Sequence, residues 1–568
     1  MLIDNCYSRS PGGGSISFII KEGELAGWPT YSYAIKSLPD EMAKADTVKE
    51  AVEAAARLKG NKDYAIFADT GEKMTYEELN RDASRIGNAL LDLGVKKGDR
   101  VALYLRNSLD YLRCIYACAK IGAVEVPVNW FYREFDARHV IGNSESSTII
   151  VEEDLLPIVE SIKDKLPHLE RIIVRGDSAK YTTLDQLDGS SKNPDVSVSR
   201  DDPVAIIYTS GTTGLPKGAV LSNYSYTLSA KAITLWMIGE NDNDYTGLPL
   251  FHINAQIYSS LGMMFAGGKI TLRSIFSASK FWEDVSAYKA TAFNLLGSMA
   301  NILYALPPTE FEKDNPAKYV IIGGMPREIW LKFEERFGVE VLEGYSQTEE
   351  PLPCLNPPHP YKKIGSFGVP VFPDLGHQVK VVDEAGNEVE WGNVGELIRK
   401  SPAQMLGYWK DEERTAETIR NGWLYSGDFV TMDEDGYLYF VDRKKFIVRR
   451  SGENIASWEI EDVIKSHPKV QDVAVIPVPD KLRGEEIKAF IKPKEGVEIK
   501  PEEIVEYMAG KVAYFKIPRY IEFVESFPYT PTGRIKKWQL KEEEREKEDH
   551  GWDRDKELPD WRERFGAR

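Results

Sequence analysis

The alternation of short apolar strands with amphipathic helices is the feature that most constrains the fold of this chain. Thr75 and Glu78 have the spacing of a capping box, which predicts the start of a helix. Apolar runs at 101–105 and 124–128 predict strands on either side of a second helix at 112–121. This order predicts an α/β protein whose sheets are covered by helices.

The same alternation continues through 205–208, 269–272, 319–322 and 339–343, with no short repeat of the kind that indicates a solenoid. A chain of 568 residues is too long for one core. We therefore expect a large multi-lobed domain, and the short strands and turn signals in 365–436 predict a β-rich sub-domain within it.

A change of pattern near Lys445 predicts a boundary between this large domain and a small α+β domain. The small domain is expected to contain helices at 457–466 and 501–512 and strands at 472–478, 487–492 and 520–524. The predicted organisation is an irregular N-terminal extension at 1–45, a large domain at 46–443, a small C-terminal domain at 444–540 and a charged tail at 541–568. A solvated tail and a tail docked through Trp552 and Trp561 both remain open.

Composition excludes several classes of protein. The net charge of −17 argues against sequence-independent binding of nucleic acid, which requires a cationic surface. The chain has no apolar run long enough for a membrane span and no signal-peptide pattern, so we expect a cytoplasmic protein. The cysteines lack the spacing of a zinc site or a disulfide framework, and Cys114 and Cys118 are expected to be buried on one helix face.

Residues 208–218, with the sequence YTSGTTGLPKG, follow an apolar strand and predict a phosphate-binding loop. Its glycines and hydroxyl side chains can surround a polyphosphate, and Lys217 supplies positive charge. Pro216 stands where a Walker motif requires glycine, so the P-loop interpretation fails. The candidate phosphate ligands beside Lys217 are Thr209, Ser210, Gly211, Thr212, Thr213 and Gly214.

This loop resembles the signature loop of the adenylate-forming superfamily, which includes acyl-CoA synthetases, luciferases and peptide-synthetase adenylation domains. The resemblance extends from about residue 50 to 540. The segment 344–349, GYSQTE, is similar to the family's second nucleotide motif. The resemblance implies that Tyr345 stacks on adenine, that Thr348 binds the α-phosphate and that Glu349 binds Mg²⁺. Gly344 and Ser346 complete that motif, Gly323 and Gly324 resemble the segment lining the adenine and acyl pocket, and Thr209 is a second candidate metal ligand.

Further motifs appear in the order that the family has them. Asp428, in 425–428, resembles the residue that accepts hydrogen bonds from both ribose hydroxyls, and Arg443 resembles the arginine that completes this contact. Lys445 occupies the family's hinge position, which implies a small domain that rotates. Gly452 and Glu453 match a loop that lines the thiol channel during the second half-reaction.

The one departure from the family pattern is Arg534, which stands where the family usually has a lysine that assists adenylation. Arginine keeps the positive charge, but its planar head is larger and its donors point differently. Lys536 and Lys537 are alternative sources of the cation, or else a solvated basic cluster.

His252 occupies the place of a histidine that borders the acyl pocket and the thiol tunnel in this family. The remaining pocket wall is predicted at Ala255, Gln256, Ser298 and Gly323–Met325. These residues include small and polar side chains, so neither an alkyl acid nor a small polar acid is excluded.

The resemblance therefore implies an ATP-dependent carboxylic acid–CoA ligase that forms an acyl-AMP intermediate and releases AMP and pyrophosphate. Within the superfamily, the segments 251–254 and 450–455 most resemble those of crotonobetaine/carnitine-CoA and medium-chain acyl-CoA ligases. The expected ligands are ATP, Mg²⁺, coenzyme A and a carboxylic acid, and a homodimer is left open. Two alternatives remain, an adenylating enzyme that delivers the acyl group to another acceptor and a non-catalytic nucleotide-binding homologue.

Overall fold

Four β-sheets organise the part of the chain that the structure describes. The structure is a computed structural model, and its sheets have eight, nine, five and six strands. The predicted α/β class is confirmed, with two large helix-covered sheets, a smaller β-rich region and a separate C-terminal sheet. The residues described are 28–209, 215–313, 315–383, 385–443, 447–451, 453–528, 535, 537–544, 547 and 549–565.

The first sheet has mainly parallel strands, and its antiparallel edge carries the predicted phosphate loop. Pro203–Thr209 pairs antiparallel with Lys217–Ser222, so Thr209 and Lys217 are register partners. The strands are, in spatial order, Gly407–Tyr408, Lys217–Ser222, Pro203–Thr209, Val124–Pro127, Arg100–Tyr104, Thr148–Glu152, Arg171–Arg175 and Thr182–Thr183.

The second sheet also has a parallel centre, in which Ala292–Leu296, Tyr319–Gly323 and Glu340–Gln347 run side by side. Since the carboxyl ends of parallel strands lie at one edge, this sheet brings three predicted site segments together. Its strands are, in spatial order, Val369–Pro370, Glu350–Leu355, Glu340–Gln347, Tyr319–Gly323, Ala292–Leu296, Asn243–Thr246, Lys269–Leu272, Asp63–Phe67 and Glu72–Thr75.

Helices pack between and around these two sheets. The predicted capping box is present at the start of Tyr76–Asp92, where the Thr75 N–H donates to Glu78 Oε2 at 2.8 Å. This helix and Leu109–Lys120 bury their apolar faces against strands of both sheets. Cys114 and Cys118 lie in the same buried cluster, and burial raises the pKa of both thiols. The other helices of eight or more residues in the described large domain are Val48–Lys59, Glu134–Asn143, Asn223–Lys231, the π-helix Asn254–Leu261, Gly297–Ala305 and Trp330–Phe337.

Residues 444–446, which lie outside the described residues, separate the third sheet from the fourth along the chain. The third sheet contains the strands Gln378–Val382, Gly395–Lys400, Trp423–Met432, Ile419–Arg420 and Leu438–Arg443. The fourth contains Glu453–Ala456, Ile447–Arg450, Val470–Asp480, Gly484–Pro493, Tyr520–Phe523 and Trp552–Asp553. The chain thus changes sheets where the sequence predicts a hinge.

Helices of the small domain differ slightly from their predicted bounds. The helix expected at 501–512 is Pro501–Met508 and ends early because Gly510 has a left-handed backbone, with φ of 79°. The helix expected at 457–466 is Ser457–Lys465. A further helix, Lys537–Glu544, packs against Val470–Asp480.

The N-terminal residues that the structure describes are more ordered than expected. Residues 28–45, predicted to be irregular, contain the short helices Tyr31–Ala34 and Asp40–Lys44. Trp28 is buried, and its indole N–H donates to the Leu235 carbonyl at 3.0 Å. Thr30 caps the first helix by accepting from the Tyr33 N–H. An aromatic anchor and a cap therefore fix a segment that has little periodicity.

The charged C-terminal tail is docked, which decides between the two alternatives left open by the sequence. Trp552–Asp553 adds a strand to the edge of the fourth sheet by pairing with Tyr520–Phe523. Trp561 is 3% exposed, and the guanidinium of Arg554 lies 3.9 Å from the centre of its ring. Both tryptophans thus fix the tail to the small domain.

A buried lysine joins the small domain to the large one. Lys516 Nζ lies 2.6 Å from Glu459 Oε2 of the small domain and 3.0 Å from Asp136 Oδ1 of the large domain. Burial opposes the charge on Lys516, but the two carboxylates outweigh it and raise the pKa of the lysine well above its usual value. Phe131 packs edge-on against Phe515 beside this lysine, with ring centres 5.6 Å apart.

Lys516→Met should destabilise the protein by about 3–5 kcal/mol, because two carboxylates would be left buried without their cation. Thermal unfolding measures the effect. The control is Lys465→Met, which removes a lysine whose side chain is 58% exposed and whose partner is Asp472 at 3.0 Å. Exposed pairs contribute only about 0–1 kcal/mol. Equal unfolding midpoints for the two variants would contradict the role given to Lys516.

Candidate active site

A cavity of about 1010 Å³ lies where the two large sheets, the third sheet and the small domain meet. The strands that end at Thr209, Leu296, Gly323 and Gln347 contribute their carboxyl-terminal residues to its wall. This is the usual place for a ligand site in parallel α/β sheets. Glu453 and two segments around 483–484 and 515–516 close the cavity from the small domain.

One end of the cavity holds a cluster of polar groups around Glu349. Glu349 lies with Thr348 in the tight turn between Glu340–Gln347 and Glu350–Leu355. Glu349 Oε1 lies 3.4 Å from Thr209 Oγ1 and 3.8 Å from Lys217 Nζ. The structure therefore brings Glu349 next to Thr209, which lies 140 residues earlier in the sequence, and next to Lys217. Residues 210–214, the centre of the predicted phosphate loop, lie outside the described residues.

Tyr408 belongs to this cluster, although the sequence did not single it out. Its hydroxyl donates to Glu349 Oε1 at 2.7 Å and accepts from Lys217 Nζ, which also lies 3.9 Å from the centre of the Tyr408 ring. Burial and the Glu349 charge raise the pKa of Tyr408, so the phenol stays protonated. The strand Gly407–Tyr408 reaches this position by pairing with Lys217–Ser222.

A second polar group lies around Asp428. Tyr345 donates its hydroxyl to Asp428 Oδ2 at 2.7 Å, and the side-chain amide of Gln347 donates to the same oxygen at 3.1 Å. Asp428 is 1% exposed, and Arg443 is its register partner on the neighbouring strand. The Tyr345 ring stacks on Phe367 with centres 4.6 Å apart. Gln347 is a second contributor that the sequence analysis missed.

The Gly323–Gly324 turn makes a narrow part of the wall. Gly324 has φ of 79°, and a Cβ at Gly297 would come within 1.9 Å of the Gly324 carbonyl oxygen. Only glycine allows so close an approach of the two segments. The Gly324 and Met325 N–H groups donate to Glu343, at 2.7 and 2.9 Å. Burial raises the pKa of Glu343 to about 8, and these two bonds limit the rise.

Comparison with known proteins identifies the family. A family model described as AMP-binding enzyme matches residues 52–409, and a second, described as AMP-binding enzyme C-terminal domain, matches residues 459–534. The chain belongs to the AMP-binding enzyme family. The two matched segments fall on either side of the change between the third and fourth sheets.

Individual relatives agree with this family. A crotonobetaine/carnitine–CoA ligase from Salmonella agona (strain SL483) is 31% identical over 505 residues, which cover 86% of this chain and 97% of the relative. The solved structure of an anthranilate CoA ligase in complex with anthranoyl-AMP has a TM-score of 0.66 and 27% identity, and covers 88% of this chain and 97% of that chain. The solved structure of a Mycobacterium tuberculosis fatty acyl CoA synthetase has a TM-score of 0.65 and 30% identity, and the match covers 89% of this chain and 99% of that chain.

In this AMP-binding enzyme the far end of the cavity is bordered by His252. His252 Nε2 lies 3.7 Å from Glu453 Oε2, so a residue of the small domain already faces the predicted pocket wall. Ser298 and Gly323–Met325 line the cavity as predicted. Ala255 and Gln256, predicted in the same wall, are buried in the π-helix Asn254–Leu261, where the Gln256 amide donates to the Leu250 carbonyl at 2.6 Å.

The described residues do not include Gly452, Arg534, Lys536 or the predicted hinge residue Lys445, nor the side chain of Arg443. Lys537 is described, and its Nζ lies 2.5 Å from Glu461 Oε1 and 3.0 Å from Ser457 Oγ. In this arrangement Lys537 is bound within the small domain. In the described part of the chain, no helix is long and apolar enough to cross a membrane.

If Asp428 binds the ribose hydroxyls as the sequence predicts, Asp428→Asn should weaken AMP binding by about 10- to 100-fold, because a charged acceptor becomes a neutral amide. Isothermal titration with AMP measures this change. The control is Asp154→Asn, because Asp154 accepts from Arg106 and neither of these residues lines the cavity. The assignment of Asp428 fails if both variants bind AMP equally well.

Proposed function

We propose that this protein is an ATP-dependent carboxylic acid–CoA ligase that works through an acyl-AMP intermediate. The observation that carries the proposal is that the Glu349 cluster, the Asp428 group and His252 all line one cavity. The first two suit the phosphates and ribose of a nucleotide, and the third leads to the small domain. The family match and the CoA ligases among the relatives support the same activity.

The residues of the cavity divide between binding the nucleotide and stabilising charge. We assign Asp428 to the ribose hydroxyls and the Tyr345 ring to the adenine. Lys217 and Thr348 would donate to phosphate oxygens as the substrate carboxylate attacks the α-phosphorus and pyrophosphate leaves. No nucleophilic side chain is needed, because the enzyme positions two substrates and offsets the developing charge.

Magnesium is expected to accompany ATP. The Glu349 carboxylate and the Thr209 hydroxyl are hard oxygen donors that already converge, which fits the preference of Mg²⁺ for such ligands. Tyr408 orients Glu349 through a 2.7 Å hydrogen bond. When bound, the ion would neutralise phosphate charge.

The second half-reaction transfers the acyl group from AMP to the thiol of CoA. The contact between His252 and Glu453 supports a thiol path along this side of the cavity, because it joins the acyl wall to the loop that the family places there. We infer that the arrangement of domains in this structure suits thiol transfer. We also propose a cytoplasmic location for the enzyme. Adenylation would then require a different orientation of the small domain.

The proposed ligase should form AMP and pyrophosphate, rather than ADP and phosphate, only when a carboxylic acid and Mg²⁺ are both present. Adding CoA should yield an acyl-CoA thioester detectable by mass spectrometry. Release of pyrophosphate without any thioester would favour an adenylating enzyme with another acceptor. Nucleotide binding without pyrophosphate release from any acid would favour a non-catalytic homologue.

Arg534→Ala should slow adenylation by about 100- to 1000-fold if this arginine replaces the usual lysine, since it would stabilise the transition-state phosphate. Thioester formation from a supplied acyl adenylate should change much less, because the small domain has by then rotated. The two half-reactions are measured separately as pyrophosphate release and thioester yield. Lys536→Ala is the matched comparison, and loss of adenylation in that variant alone would move the role to Lys536.

A further inference from the structure

A row of buried polar side chains lies behind the acyl end of the cavity. Asp244 and Asn294 are on neighbouring strands of the second sheet, and Ser259 and Asn254 are on the π-helix that packs over them. Asp244 and Ser259 are fully buried, and Asn294 is 1% exposed. Polar groups buried this deeply are costly unless they are hydrogen-bonded, so we traced the hydrogen bonds between these side chains.

Asn294 links the row together. Its side-chain amide Nδ2 donates to Asn254 Oδ1 at 2.7 Å and to Ser259 Oγ at 3.1 Å. Neither oxygen of Asp244 has a hydrogen bond among the described residues. Burial raises the pKa of Asp244 to about 7, and the Ser259 side chain limits the rise. The row therefore runs from Asp244 through Ser259 and Asn294 to Asn254.

The amide of Asn294 sets the direction of the hydrogen bonds next to the cavity. Its Nδ2 is the donor to Ser259 Oγ and to Asn254 Oδ1, so both oxygens act as acceptors. Asn254 consequently uses its oxygen on Asn294 and keeps its own Nδ2 donors for the cavity, whose wall it lines.

Asn254 supplies a donor that a bound chain can reach, because its side chain is only half-buried and lines the cavity. Ser298 and Trp330 also line the cavity, but the Ser298 hydroxyl and the Trp330 indole N–H are themselves buried and do not face it. A plain hydrocarbon chain would leave the Nδ2 donors of Asn254 unpaired.

We propose that the preferred substrate is a carboxylic acid with a second oxygen acceptor, a hydroxyl or oxo group, on its chain, held by the Asn254 amide. This inference rests on the proposed ligase activity and deepens it by naming the substrate class. An unsubstituted acid leaves the donors unpaired in a desolvated site. An acid that bears an ammonium group offers only further donors and does not satisfy Asn254.

The test compares acids of one chain length: hexanoate, 3-hydroxyhexanoate, 5-oxohexanoate and 6-aminohexanoate. We expect kcat/KM for pyrophosphate release to be at least about 10-fold higher for one of the two oxygenated acids than for hexanoate. The inference is overturned if hexanoate or 6-aminohexanoate equals or exceeds both oxygenated acids. If neither these acids nor any acid in a wider panel supports pyrophosphate release, the ligase activity itself is contradicted.

Variants of the row connect the preference to these residues. Asn254→Leu keeps the size of the side chain and removes its donors, so the ratio of oxygenated acid to hexanoate should fall towards one. Ser259→Ala should lower the same ratio, because it removes one of the two acceptors that hold the Asn294 amide against Asn254. An unchanged ratio in Asn254→Leu would overturn the assignment.

The adjacent Ser260 provides a matched control for Ser259. It is equally buried on the π-helix but bonds to the hydroxyls of Tyr64 and Tyr116, at 2.8 and 2.6 Å, away from the row. Ser260→Ala should therefore leave the ratio unchanged, whatever its effect on thermal stability. A similar loss of preference in both serine variants would mean that general loosening of the helix sets the preference and would overturn the role of the row.

Discussion

The cavity depends on one buried interaction, the contact of Lys516 with Asp136 and Glu459. A buried lysine without a partner would be costly, so the small domain is stable in this position only while a carboxylate from each domain faces it. Phe515, beside that lysine, and Glu453 supply the small-domain wall of the cavity. The shape of the site therefore follows from an ion cluster that lies outside the proposed chemistry.

The two carboxylates on Lys516 would respond differently to the proposed rotation of the small domain. Glu459 belongs to the same domain as Lys516 and would move with it, whereas Asp136 would stay on the helix Glu134–Asn143. Rotation would therefore break one contact and preserve the other, so that the lysine would keep a partner throughout. This would limit the energetic cost of the proposed change from thiol transfer to adenylation. A single carboxylate on the large domain would instead leave Lys516 unpaired after the rotation.

Sequence predicted what local patterns determine. The Thr75–Glu78 capping box and the strand at 319–323 were placed nearly as the structure has them, because hydrophobic periodicity and caps act within a few residues. Tyr408 was missed, since its contact with Glu349 follows from pairing of two distant strands. Gln256 was predicted in the pocket wall, and its contact with the Leu250 carbonyl is one that no local pattern in the sequence signals.

Because the chain is acidic overall, the binding of anionic ligands in the cavity depends on the charges close to them. With a net charge of −17, the protein as a whole repels ATP and CoA, so binding must rely on nearby groups. Lys217 supplies a cation at the Glu349 cluster. Because burial raises the pKa of Glu343 to about 8, this carboxyl is largely neutral at pH 7 and adds little negative charge to the wall. The proposed acyl adenylate could therefore form beside Glu343 without meeting the full charge of a carboxylate.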